Sequence, residues 1–286
     1  MRYAAIATIV SPVPVARRCG LLGVSRSGYY AWRAREPSPR ASADVGLVGA
    51  IQRIHAAADR TYGSPRIHRE LRAEGVACGR HRVARLMRTA GIIGKQRRRF
   101  RRTTDSRHAF AIAPNRLERD FTVAAPNQVW MGDVTYIPTG TGWSFLAVLL
   151  DAFSRRVVGW AVGTQLTAAL PLTALEQAVR TRRPPAGLLH HSDRGVQYAC
   201  EAYQLALRTH GLEGSMSRRG DCWDNAVVES FFASLKVERL HERRFTTVED
   251  VCHEVEDYIE RFYNRQRRHS TLGYVSPVIY ELRHAA

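Results

Sequence analysis

Three carboxylates set far apart in the chain, Asp133, Asp193 and Glu229, are the residues whose type and setting point most clearly to chemistry. Asp133 lies in the run Trp130 to Ile137, in phase with Val129, Met131, Thr135 and Ile137, so strand alternation aims it at a mostly apolar face. A carboxylate there needs a cation, a metal or a set of hydrogen bonds, because an unpaired buried charge is costly. Asp193 follows the short apolar run Leu188-Leu189-His190, at the edge where an open α/β sheet offers a ligand site. Glu229 belongs to a helix starting near 221–224 whose inward stripe is Val228, Phe231, Phe232 and Leu235, while Asn225, Ala233 and Lys236 share its own face. Acids drawn from three separate elements can gather two divalent cations, one activating an attacking oxygen and the other stabilising a departing one. Ligation by oxygen alone favours Mg2+ or Mn2+ over zinc. Taken singly, each acid is more often structural, and the expectation rests on the three together with their surroundings.

Other polar residues read differently. Asp151 falls in a turn after a strand and is expected to be structural. His190 and His191 precede the Asp193 loop and are expected to orient it by hydrogen bonds rather than bind metal, since magnesium prefers oxygen. Cys19, Cys78, Cys200, Cys222 and Cys252 are widely spread and are expected to be reduced thiols; His68, Cys78 and His81 lack a fourth partner for a zinc site.

The chain must then position these acids against a partner, and its charge says which. It has 286 residues, with 43 Lys and Arg against 26 Asp and Glu, a formal net charge of +17. That balance makes a polyanion, nucleic acid first, the expected partner. No stretch approaches the roughly 20 apolar residues that span a bilayer. The apolar segment from Tyr3 to Val15 is broken by Ser11, Pro12 and Pro14, which argues against a cleaved signal peptide and for a cytoplasmic protein.

Residues 1–40 hold an aromatic patch, Gly23 to Trp32, and a Pro- and Ser-containing break at Pro37 to Pro39 that reads as a linker. A helix with Leu47, Val48, Ile51 and Ile54 on one side follows, then a second that starts at Ser64-Pro65 with Ser64 as its cap and Ile67 and Leu71 inward. After the turn Gly75 to Gly79, a third puts Val83, Leu86 and Met87 inward and Arg80, Arg82, Arg85 and Arg88 outward, a helix-turn-helix-like unit over 41–95. Arg97, Arg98, Arg99, Arg101 and Arg102 fall within 96–120, too dense in like charge to fold alone, and read as an arm that neutralises phosphates. From 121 to 240, strands at 128–137, 143–151 and 156–162, a helix at 167–180, a short strand before Asp193 and a helix at 200–209 indicate an α/β core with a mixed sheet. The last segment, 241–286, carries a helix with Val248, Val251, Val255, Ile259 and Phe262 inward, then a basic stretch from Asn264 to His269 that either packs or meets phosphate.

The surroundings of the acids closely resemble insertion-sequence transposases of the retroviral-integrase type, the second-reading-frame product called OrfB. The match includes Tyr62-Gly63 and Arg82 to Met87, Trp130 to Thr135, Asp151 to Trp160, His191 to Gly195, Gln197-Tyr198, and above all Ser215 to Ala226 running on to Glu229-Ser230-Phe231-Phe232 and Leu235-Lys236. Asp193 and Glu229 are 36 positions apart, the acid spacing of that family. The resemblance implies a ribonuclease-H-like catalytic core, metal binding by Asp133, Asp193 and Glu229, and contact of Lys236 with the DNA backbone near the reacting end. It implies metal-dependent strand cleavage and strand transfer on element ends and target DNA, by homo-oligomers that hold two DNA ends at the bacterial nucleoid. In this group the end-recognising helix-turn-helix usually comes from an upstream reading frame, and no heptad run precedes residue 45. An upstream-frame partner or fusion is therefore expected, and the alternative reading is a DNA-binding regulator or accessory subunit.

Overall fold

The computed structural model describes residues 2–9, 12–95, 112–118, 121–218 and 222–284. The expected basic arm, Arg97 to Arg102, lies outside these residues. The chain divides into two compact units, residues 1–53 and 54–286.

The first unit holds α1 (Arg2–Thr8), α2 (Val15–Leu21), α3 (Arg26–Ala34) and most of α4 (Pro39–Ala57). Ile6, Cys19 and Tyr29, one from each of the first three helices, form a small core with Tyr3, Val15, Leu22 and Val24 packed against it. The sequence pattern does not announce these three helices, because seven to nine residues are too few to display a periodic apolar stripe. The break expected at Pro37 to Pro39 is shorter than its composition suggests, since α4 begins at Pro39, where proline suits the first helical turn.

In the second unit, α5 (Ser64–Ala73) buries Ile67 and Leu71, and α6 (Arg80–Thr89) buries Val83, Leu86 and Met87, as their spacing requires. The expectation that Ser64 caps α5 is corrected: Gly63 occupies the cap position, Ser64 is the first helical residue and no side chain caps the end. On α6, Arg80, Arg85 and Arg88 are exposed and Arg82 is half-buried. His68 bonds the Cys78 carbonyl at 3.1 Å, a contact that explains this pair without a metal.

The sheet is built from β1 (Val129–Thr139), β2 (Gly142–Asp151), β3 (Val157–Gly163), β4 (Leu189–Ser192) and β5 (Glu213–Met216), in the order β3-β2-β1-β4-β5. β1, β2 and β3 form an antiparallel meander, while β4 and β5 run parallel to β1. This is the mixed sheet expected of the α/β core. One face is covered by α7 (Ala169–Arg182) and by α9 (Glu201–Thr209), which follows the single turn α8 (Val196–Ala199); Trp130, Leu149, Leu175, Tyr203 and Leu207 belong to that core. The strand β5 has no counterpart among the expected strands: Glu213-Gly214-Ser215-Met216 is short, has a glycine and alternates no apolar residues.

Against β1 and β2 packs α10 (Ala226–Leu235), which continues into a π-helical turn at Lys236–Leu240. The chain then forms α11 (Val248–Glu256), a second π-helical stretch at Asp257–Tyr263, and α12 (Pro277–His284). A capping box between Thr247 and Asp250 starts α11. Val251, Val255, Ile259 and Phe262 are buried as expected, whereas Val248 is half-buried.

The basic stretch after α11 turns inward. Arg267 is buried and clamps Glu238 through two hydrogen bonds of 2.8 and 2.7 Å, Tyr258 donates to the same carboxylate at 2.8 Å, and Arg66 of α5 stands 3.6 Å away. Arg268 pairs with Glu70 of α5, and Asn264 bonds both backbone groups of Val157. These residues pack the tail and α5 onto α10 and the sheet. Asp151 is also structural: buried, it accepts backbone N–H bonds from Asn127, Phe153 and Ser154. Among the described residues no helix is long and apolar enough to cross a membrane.

Burial works to raise the Glu238 pKa, but the charge and hydrogen bonds of Arg267, with Arg66 and Tyr258, hold it below the ordinary value. A depressed carboxyl pKa stabilises the fold at neutral pH, and that contribution is lost as pH falls through the folded-state value. Glu238→Ala is expected to cost about 3–5 kcal/mol, because it strands a buried guanidinium. Urea unfolding at neutral pH measures this cost, and the gap between wild type and variant should narrow as the pH is lowered.

Candidate active site

The parallel pairing of β1 with β4 brings two of the three acids together. Its last rung joins Gly132 to Ser192, and the next residue on each strand is an aspartate, Asp133 on one and Asp193 on the other. Neighbouring strands lie about 4.8 Å apart, so equivalent positions on them are adjacent. Asp133 Oδ1 accepts the N–H of Val134 at 2.7 Å, and Asp193 Oδ1 accepts that of Gly195 at 2.9 Å, which shapes the turn into α8.

The third acid comes from the facing helix. Glu229 is exposed in the first turn of α10, while Val228, Phe231, Phe232 and Leu235 anchor the opposite side of that helix. Asn225 at the start of α10 is buried and donates from Nδ2 to the carbonyl oxygen of Gly132 at 3.3 Å. One residue before Asp133 is thus fastened to the helix one turn ahead of Glu229.

The acids act on one another electrostatically. The Asp133 carboxyl is held well above the usual aspartate range, first by burial, then by the charge of Asp193, with Glu229 adding to it; the Val134 N–H and Lys236 oppose the shift. Lys236 is half-buried beyond α10, its Nζ 5.5 Å from the ring centroid of Tyr136, and burial lowers its pKa against the attraction of Asp133. All three acids and Lys236 therefore share one electrostatic neighbourhood. Among the described residues no three His, Cys, Asp or Glu side chains are already drawn together tightly enough to hold an ion.

The two histidines before Asp193 are locked. His190 is buried and shares a 2.9 Å hydrogen bond with the Tyr203 hydroxyl, and burial lowers its pKa to about 3. His191 bonds Ser215 Oγ at 2.9 Å and Ser217 Oγ at 3.1 Å, and burial lowers its pKa to about 4. Both are neutral at physiological pH and act by fixing β4 against its surroundings, the role expected of them.

Two features of the site go beyond the sequence pattern. Asp224, fully buried, accepts from the backbone N–H and guanidinium of Arg218 and from Asn115, which closes the segment leading into α10. Helical spacing places Asn225 on the Glu229 face, but its bond to Gly132 depends on a strand 93 positions earlier, a pairing no local pattern displays. Arg80, Arg82, Arg85 and Arg88 lie on α6, a separate element of the same compact unit as the acids.

The profile described as an integrase core domain matches residues 123–222 and a second of that description matches 210–277, while an HTH-like domain matches 42–100. The chain is 46% identical over 262 residues to an uncharacterized 31 kDa protein of insertion element IS600 from Shigella sonnei, covering 92% of this chain and 96% of the other. It is 39% identical over 288 residues to the transposase InsF for insertion sequence IS3A from Escherichia coli (strain K12), covering 100% of both. A simian T-cell lymphotropic virus intasome chain superposes with a TM-score of 0.48 at 14% identity, covering 81% of this chain and 74% of that one.

The burial of Asp133 and the like charge beside it make a stability prediction. Because its folded-state pKa is raised, the ionised group weakens the fold at neutral pH, and a neutral isostere that still accepts the Val134 N–H removes that penalty. Asp133→Asn should melt above the wild type in buffer free of divalent ions, by at least about 2 °C, the response to roughly 1 kcal/mol in a chain of similar size. Differential scanning calorimetry at neutral pH reads this directly, and an unchanged or lower melting temperature would contradict the electrostatic reading.

Proposed function

The chain belongs to the insertion-sequence transposases that carry an integrase core, and on that premise we propose that Asp133, Asp193 and Glu229 form its metal-binding catalytic set. The observation that carries this is the placing of two aspartates at equivalent positions past one parallel rung, with the charge of Glu229 felt at the first of them. The donor set is made of carboxylate oxygens alone, which suits Mg2+ or Mn2+, and a divalent cation would offset both the burial and the like charge that raise Asp133. When bound, such cations supply activation of the attacking oxygen and charge stabilisation for the departing one.

The reaction we propose has two steps. Water attacks a phosphodiester at an element end and frees a 3′ hydroxyl, and that hydroxyl then attacks a phosphodiester of the target in line, displacing its 3′ oxygen. The protein's residues position the strands. Lys236, which interacts electrostatically with Asp133, is the cation proposed to meet the scissile phosphate. Arg80, Arg82, Arg85 and Arg88 of α6, with Arg97, Arg98, Arg99, Arg101 and Arg102 after it, neutralise phosphates along the duplex. Neutral His190 and His191 hold the Asp193 loop without adding charge to it. Such an enzyme works on DNA in the bacterial cytoplasm, as a homo-oligomer that brings two ends together, with an upstream-frame protein as a partner or fusion.

The decisive assay is cleavage and joining of a labelled DNA fragment bearing the element's own end, with Mg2+ present. Glu229→Gln should lower the rate at least about 100-fold while DNA binding persists. Equal rates in wild type and variant would remove Glu229 from the mechanism, and binding without any cutting by the wild type would favour an accessory or regulatory subunit. A second measurement addresses α6: Arg88→Ala should weaken binding to every duplex alike and reduce the slope of log K against log salt by about one.

A further inference from the structure

The first unit contains a second two-helix arrangement that the HTH-like match at 42–100 does not reach. α2 ends at Leu21 and α3 begins at Arg26, so four residues, Leu22 to Ser25, make the turn. Three of them have an evident part in it. Gly23 takes the left-handed conformation, with φ at +61°, that ends a helix, and the Gly23 and Val24 N–H groups return to the carbonyls of Gly20 and Cys19. Val24 then packs into the small core, and the Ser25 hydroxyl caps α3 by accepting the Gly28 N–H at 3.0 Å. A short glycine-containing turn that closes one helix and caps the next is the signature of the helix-turn-helix.

α1 completes a three-helix support. The Arg18 guanidinium of α2 donates to the carbonyls of Ile6 and Ile9 at the end of α1, at 3.0 and 2.8 Å. Tyr3 of α1 meets Tyr29 and Trp32 of α3 with ring centroids 6.3 and 5.9 Å apart. A side chain at Gly28 would strike the Tyr3 hydroxyl, its Cβ falling 2.3 Å from that oxygen, so this glycine permits the close seating of α1 on α3. With Tyr29 and Trp32 turned to this support, the other side of α3 is left exposed: Arg26, Ser27, Tyr30 and Ala34, flanked by Ala31 and Arg33. Residues 2–35 contain six arginines and no acidic residue, the first acid being Glu36.

We propose that the unit of α1, α2 and α3 is a reader of duplex DNA in which α3 enters the major groove and Arg26, Ser27 and Tyr30 meet base edges. These side chains suit base recognition, since arginine pairs bidentately with guanine, serine bonds to several bases, and small Ala34 permits close approach of the helix to the groove. A segment of cationic and neutral residues suits a polyanion rather than a protein surface of mixed charge. This division of labour differs from that of α5 and α6. Their connection, Glu74 to Gly79, is longer, and α5 is tied into the second unit by Glu70 with Arg268 and Arg66 with Glu238. The basic face of α6 reads charge, and α3 reads sequence within the same chain.

The inference goes beyond the catalytic reading and is tested apart from it, by binding alone, so a chain that selects DNA without cutting it leaves this reader standing. The full chain is incubated with a randomised duplex library, and the bound fraction is sequenced through successive rounds. Wild type should enrich a short motif, and Arg26→Ala should lose about 10-fold of the preference at one base pair of it, the effect of one bidentate contact. Arg88→Ala should retain the motif while binding all duplexes more weakly. Circular dichroism of Arg26→Ala, whose side chain is exposed, should match the wild type and shows that the unit remains folded. Enrichment of no motif by the wild type, or of the same motif with undiminished preference by Arg26→Ala, would overturn the proposal.

Discussion

Like charges held close together repel, and the second unit is arranged to hold three of them against that repulsion. Asp133 is raised by burial and by Asp193 and Glu229, so the acids do not stabilise one another; the scaffold must keep them in place. The strongest part of the scaffold is the backbone. Parallel hydrogen bonding between β1 and β4 sets the two aspartates side by side, and that register is fixed by buried Trp130, Met131 and His191 around it. A slip of one residue of either strand would turn its carboxylate to the face opposite the other. The site is thereby specified by the same core that specifies the sheet.

Glu229 needs a different restraint, because it arrives on a helix 36 positions after Asp193. Asn225 fastens the start of that helix to Gly132, and the apolar stripe Val228, Phe231, Phe232 and Leu235 seats its length. At its far end the helix passes into a π-helical turn that carries Glu238 inward. There the carboxylate meets Arg267, Tyr258 and Arg66, from the tail, the second π-helical stretch and α5. Arg239, next in the chain, pairs with Asp59, Glu254 and Asp257. A π-turn costs regular hydrogen bonding, and here it lets consecutive residues Glu238 and Arg239 both turn into buried ion pairs. Breaking such pairs is costly, so they fix the direction of α10 as well as its position.

Much of this is legible in the sequence and some is not, for physical reasons. Strand alternation around Asp133 and helical spacing around Glu229 are local signals, and β1 and α10 stand where those signals place them. The buried sets of α5 and α6 follow in the same way. The basic stretch at Arg267 and Arg268 leaves packing and phosphate contact open, because charge alone does not reveal a distant partner; Glu238 and Glu70 supply it across 29 and 198 positions. β5 is hidden by a glycine and by its brevity, and it is a strand only because β4 lies beside it. The helices of residues 2–34 are hidden because aromatic contacts between short helices, rather than a periodic stripe within one, hold them.

The two helix pairs differ in what their surroundings permit. α5 has its polar residues committed: Arg66 faces Glu238 and Glu70 faces Arg268, so α6 presents its arginines from a frame shared with the acids. A charge set rigidly relative to a reacting centre suits phosphates, which repeat along any duplex and call for position rather than sequence. The α2–α3 pair commits Arg18, Tyr29 and Trp32 to its own support and leaves a face of α3 with arginine, serine and tyrosine exposed. Base edges differ from one pair to the next, and side chains that do not hold the fold together can be matched to them at little cost in stability. The chemistry proposed for the acids is therefore kept in the part of the chain with the most internal ties, and the face proposed to choose DNA is carried by helices whose ties are made among themselves.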